Sequence, residues 1–167
     1  MTAFLAATLF PLLLIVAGAG DALTLRIPNR LNLMIALGFF PMAWAAGMPL
    51  PMLGQHVVAG GVLLALGYLL FALRAFGGGD AKLLAAAGLW LGYPASLNFM
   101  VLSALAGGGL AFAVGAWSLV KMDSEIRDGL VSRHLAFLKP DLPYGVALAV
   151  GGIAAFSQSW WMSVALP

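Results

Sequence analysis

The chain has 167 residues and a formal net charge of +2, with 63% hydrophobic and only 8% charged residues. A soluble domain needs about 25% charged residues to cover its surface, so this composition excludes a water-soluble globule and requires an outer surface that faces lipid. The small net charge implies no nucleic-acid partner, and the absence of cysteine excludes disulfides, thiolate zinc sites and a cysteine nucleophile.

Six apolar segments follow one another, punctuated by Gly, Pro and charged residues. They run from Thr2 to Gly20, Leu31 to Ala46, Gln55 to Phe76, Ala81 to Tyr93, Ala95 to Val120 and Tyr144 to Val164. Met1-Thr2-Ala3 lacks the positive n-region of a secretory signal, so the first run reads as a retained span. The fourth segment is short for a span, and hydropathy alone does not establish it. Charge placement does. With six spans, Arg26, Arg30, Arg74, Lys82, Lys121, Arg127, Arg133 and Lys139 all fall at the first, third and fifth connections. Lys and Arg concentrate on the cytoplasmic side, so those connections are expected inside and both termini outside. The expected fold is therefore all-α: a six-span helical bundle forming a single membrane-embedded domain over residues 1–167.

Trp44, Trp90, Tyr93, Trp160 and Trp161 sit at the outer ends of their segments, as an interfacial aromatic belt requires, and Trp117 sits at an inner end. In the connection at 121–143, Ile126, Leu130, Leu135 and Leu138 recur near helical spacing among charged residues. That pattern predicts a short amphipathic helix in the interface. The two histidines, His56 and His134, are too few and too far apart for a metal site.

All six acidic residues, Asp21, Asp80, Asp123, Glu125, Asp128 and Asp141, lie on the cytoplasmic side, so ionisable chemistry is confined to that face. Asp21 ends the first span. A carboxylate at a helix C-terminus opposes the dipole, so something else must hold it there. Asp80 follows Gly77-Gly78-Gly79 and starts the fourth span. An N-cap role alone would suit an aspartate there. Depth argues for more: the segment from Ala81 to Tyr93 is roughly 20 Å of helix against a hydrocarbon core of roughly 30 Å, which puts Asp80 below the inner interface. An ionisable group at such a depth is a functional-site hypothesis by default. The glycines before it admit a substrate backbone or the Asp21 helix. Two adjacent carboxylates do not both ionise easily, so such a pair shares a proton. The ionised member can then activate water while the protonated member donates to a scissile carbonyl. Lys82 either tunes the pair, binds substrate or snorkels to the headgroups.

Gly77-Gly78-Gly79-Asp80-Ala81-Lys82 resembles the GxGD signature of type IV prepilin peptidases. Asp21 followed by Ile27-Pro28-Asn29 resembles the family's first-aspartate motif, and Pro143-Tyr144-Gly145 resembles the segment that opens its last span. The resemblance implies a membrane aspartic endopeptidase that cleaves the leader of prepilin-like precursors at the cytoplasmic face. It implies Asp21 and Asp80 as catalytic residues. Gly77, Gly79 and Lys82 belong to the active-site motif, with Pro28, Asn29, Tyr144 and Gly145 in support, and no cofactor. Larger bacterial members carry paired cysteines and methylate the new N-terminus. A chain without cysteine resembles instead the peptidase-only branch that serves tight-adherence pili. Family members often place basic residues soon after the first aspartate. Here Ala22-Leu23-Thr24-Leu25 precede Arg26, and the resemblance assigns Arg26 no role. Beyond the precursor, the expected partner is membrane lipid.

Two other function classes fit a small bundle with carboxylates. A proton-coupled transporter would carry ionisable residues near the bilayer midplane, where none of the six segments has one. A non-enzymatic membrane assembly factor built on close packing, such as that at Gly88-Leu89-Trp90-Leu91-Gly92, would not need Asp80 to ionise.

Overall fold

The computed structural model describes residues 2–120 and 142–165. Among these residues every regular element is helical. The elements are α1 (Thr2–Thr24), α2 (Asn29–Ala45), α3 (Leu50–Ala72), α4 (Gly78–Leu91), α5 (Ala95–Val120), α6 (Tyr144–Phe156) and α7 (Trp160–Ala165). The expected amphipathic helix at 121–143, with Asp123, Glu125, Asp128, His134 and Asp141, lies almost entirely outside the described residues.

Among the described residues, three helical stretches are long and apolar enough to cross a membrane: Phe4–Thr24, Leu50–Ala72 and Ala95–Trp117. They belong to α1, α3 and α5, and much of their surface is exposed leucine, valine and phenylalanine. The shorter α4 packs on α2, α3, α5 and α6, and α6 packs on α1, α4 and α5. Their buried sides carry small residues, including Ala81, Ala86, Ala87 and Gly88 on α4 and Gly145, Ala149, Gly151 and Gly152 on α6. Small side chains let helix backbones approach closely. A Cβ on Gly67 would meet the Ala81 carbonyl oxygen at 2.8 Å, and one on Gly88 would meet the Gly60 Cα at 3.2 Å.

Two expectations need correction. The segment from Tyr144 to Val164 is not one helix. It breaks after Phe156, where the Ser157 hydroxyl donates to the Ala154 carbonyl at 3.0 Å and the Ser159 hydroxyl to the Phe156 carbonyl at 2.6 Å. Such local side-chain bonds compete with the helical ladder. The aromatic belt is the second. Trp44 and Tyr93 are exposed, but Trp90 and Trp161 are fully buried. Trp90 donates its indole N–H to the Ile35 carbonyl and Trp161 donates to the Trp90 carbonyl, both at 2.8 Å. Phe10 stacks on Trp90 with centroids 5.2 Å apart. These rings form a core at the end of the bundle opposite the aspartates, with the polar tip of each indole satisfied as burial demands.

Candidate active site

Asp21 lies in the last turn of α1 and is buried. The helix ends just beyond it because Leu25 adopts a left-handed conformation with φ 53°, while its N–H still reaches the Asp21 carbonyl at 2.8 Å. The chain then runs through buried Ile27 to Pro28, which precedes α2 with φ −60° and ψ 135°. A proline suits that position because its fixed φ is preorganised for the turn into a helix.

The anion at the end of α1 is held from another helix. The Gly145 N–H, in the first turn of α6, donates to Asp21 Oδ2 at 2.7 Å. An unpaired N–H at a helix start, with the positive end of its dipole, suits a carboxylate. This is the partner that the unfavourable position of Asp21 required. A side chain at Gly145 has no room: its Cβ would lie 2.8 Å from Asp21 Cβ, Asp21 Oδ2 and Ile27 Cδ1.

Asp80 is in the first turn of α4 and is also buried. Its Oδ2 accepts the Gly77 N–H at 3.1 Å. This is the reaching-back half of a capping box; glycine has no side chain to supply the other half. Capping therefore uses one carboxylate oxygen. Among the described residues, Asp80 Oδ1 is buried with no hydrogen-bond partner. The two carboxylates are close enough to interact electrostatically.

Ile27 joins the two halves. A Cβ on Gly79 would sit 3.1 Å from Ile27 Cβ and 3.2 Å from the Ile27 carbonyl oxygen. The glycine before Asp80 thus lies against the backbone that follows Asp21. Gly78 differs, since its Cβ would meet only Phe71, at 3.6 Å. A second tie is polar. Lys82 Nζ donates to Asn29 Oδ1 at 2.7 Å, so the lysine of one motif holds the asparagine of the other. Tyr144 packs on Phe76 with ring centroids 5.1 Å apart, beside Gly145 and Gly77. Arg26 is exposed.

Asn32 was not among the residues singled out by sequence. It is buried on α2, and its amide nitrogen donates to the Gly79 carbonyl at 2.9 Å. The available signal was an amide in an otherwise apolar helix, which must find a partner.

A family model described as the type IV leader peptidase family matches residues 8–112, a stretch that contains both aspartates and ends before Tyr144. No curated protein and no solved structure matches the chain.

Proposed function

The chain belongs to the type IV leader peptidase family, and from that premise we propose that it is an aspartic endopeptidase with Asp21 and Asp80 as its catalytic pair, cutting prepilin-like precursors at the cytoplasmic face of the inner membrane. The observation that carries this reading is the pair itself. Two buried carboxylates from distant segments interact with each other, and each is aimed by one backbone N–H.

Fixed donors of this kind cost no reorganisation during reaction. Each engages Oδ2, and Asp80 Oδ1 is buried with no hydrogen-bond partner among the described residues. The pair shares one proton. The ionised carboxylate takes a proton from a water molecule as its oxygen attacks the scissile carbonyl carbon. The protonated one donates to the carbonyl oxygen. Collapse of the tetrahedral intermediate breaks the C–N bond as a proton passes to the leaving amine. Lys82 and Asn29 lock the two motif segments together, and Gly79 supplies the close approach.

The peptidase-only branch, six spans and outward termini belong to the same proposal. The placement of all eight Lys and Arg at three connections supports it. The test is incubation of the purified protein with a prepilin-like precursor, followed by N-terminal sequencing of the product. A single new N-terminus at the leader boundary supports the reading.

A further inference from the structure

The buried residues of α2 are Asn32, Ile35, Phe39 and Ala43, spaced so that they share one helix face. Three are apolar. Asn32, the fourth, is 4% exposed. α2 packs on α4, and two side-chain bonds pin their interiors together at different levels. The Trp90 indole N–H donates to the Ile35 carbonyl at 2.8 Å. One turn nearer the aspartates, the Asn32 amide donates to the Gly79 carbonyl at 2.9 Å.

The second bond is expensive for what it returns in stability. A carboxamide brings an acceptor oxygen as well as its N–H donors. Among the described residues, Asn32 Oδ1 is buried with no hydrogen-bond partner. An unpaired buried acceptor costs at least as much as one neutral hydrogen bond contributes. Leucine would fill similar space with no polar atom to desolvate. Stability therefore does not account for an amide at this position.

What the bond does fix is geometry. The Gly79 carbonyl belongs to the planar peptide unit that joins Gly79 to Asp80. Holding that oxygen sets the direction from which the Asp80 backbone, and then its side chain, departs. The stretch before it is Gly77-Gly78-Gly79, which has no side chains to restrain its dihedrals. Ile27 crowds Gly79 from one side, and Asn32 holds its oxygen. The Gly77 N–H bond to Asp80 Oδ2 closes over the same short stretch, so it too depends on where Gly79 lies.

We propose that Asn32 is a positioning residue for the aspartate pair: by holding the Gly79 carbonyl it fixes the backbone of Asp80 and aims that carboxylate at Asp21. The inference rests on the peptidase reading above. Asn32 acts from inside the α2–α4 contact, through Asp80, so its loss affects the chemical step rather than substrate binding.

The test is cleavage of a prepilin-like precursor by the full chain, with kcat, KM and the thermal melt in detergent measured for each variant. Asn32→Leu removes the amide at similar size. It should lower kcat at least ~tenfold, since a displacement of about 1 Å in a catalytic group can cost about a hundredfold. KM should stay within about twofold, as expected when an interaction serves the transition state alone, and the melt should be no lower than that of the unaltered chain. Ile35→Val, on the same face, is the packing control. It should lower the melt through a lost methylene and leave kcat unchanged. Asn32→Asp keeps the shape and makes donation depend on pH. Its carboxyl donates to the Gly79 carbonyl only when protonated, and when ionised it adds a third negative charge beside Asp21 and Asp80. The ratio of its kcat to that of the unaltered chain should therefore rise as pH falls. An unchanged kcat for Asn32→Leu overturns the inference, as does a raised KM with kcat unchanged. A kcat loss in Ile35→Val equal to that in Asn32→Leu overturns it in favour of packing. A pH-independent ratio for Asn32→Asp overturns it even where Asn32→Leu fails to accumulate. All four outcomes leave the peptidase reading standing. Failure of the unaltered chain to cut the precursor overturns that reading, and this inference with it.

Discussion

The Gly145 N–H and Asp21 Oδ2 meet at 2.7 Å across 124 residues of sequence, so the start of α6 anchors the carboxylate at the end of α1. The contact leaves no space for a methyl group. Gly145→Ala should push Asp21 off its position and lower precursor cleavage by at least ~tenfold, with a stability loss of about 1–3 kcal/mol from overpacking. Gly61→Ala, in open space, should do neither. Rates and thermal melts in detergent check both.

Gly79 makes the corresponding approach on the Asp80 side. Gly79→Val should reduce cleavage by orders of magnitude while the protein still accumulates in the membrane, because a Cβ there already lies 3.1 Å from Ile27 Cβ and 3.2 Å from the Ile27 carbonyl oxygen, and a branched side chain adds to that crowding. Gly78→Ala should be tolerated far better, since only the Phe71 ring lies near, at 3.6 Å. Gly47 is a poor comparison despite its open surroundings, since its φ of 70° would strain any branched residue. Gly61→Val serves instead. Equal activity for Gly79→Val and Gly61→Val would show that the glycine run is only a connection.

Lys82 and Asn29 bond across the two motif segments. In a double-mutant cycle, Lys82→Ala and Asn29→Ala should each slow cleavage by about two- to tenfold, the scale of one exposed polar contact. The double variant should be little worse than the worse single one. Full additivity of the two effects would mean that the residues act separately.

Much of the architecture was readable in the chain because lipid and charge act locally. The fourth apolar segment, weak in hydropathy, is a helix, α4, and the positions of Lys and Arg support the proposal that it crosses the membrane. α4 is short and lies among four other helices, so it lacks a full apolar band facing lipid. What sequence could not separate was lipid from protein as the cover of an apolar side chain. Trp90 and Trp161 sit at segment ends like belt residues yet lie in the core. The candidate site was legible at its carboxylates and glycines, since an anion at a helix C-terminus demands compensation. That Gly145 supplies it, and that Asn32 holds the Gly79 carbonyl, depends on contacts between distant helices.

Topology is independently testable. Reporters fused after Ala46, Tyr93 and Pro167 should report the outside, and those near Arg30, Phe76 and Arg133 the inside, as the charge placement requires. An inside signal after Tyr93 would mean that α4 does not cross, and the orientation assigned to the aspartates would fail.

The most direct test is cleavage of a prepilin-like precursor by Asp21→Asn and Asp80→Asn proteins that insert and accumulate normally. Asparagine keeps the size and a hydrogen-bonding oxygen but removes the ionisable proton. Groups that act as a unit fail together, so each single variant should lose cleavage as completely as the double one. Asp123→Asn and Asp128→Asn, in the connection at 121–143, should retain most activity. A normal cleavage rate for Asp80→Asn would contradict the two-aspartate mechanism.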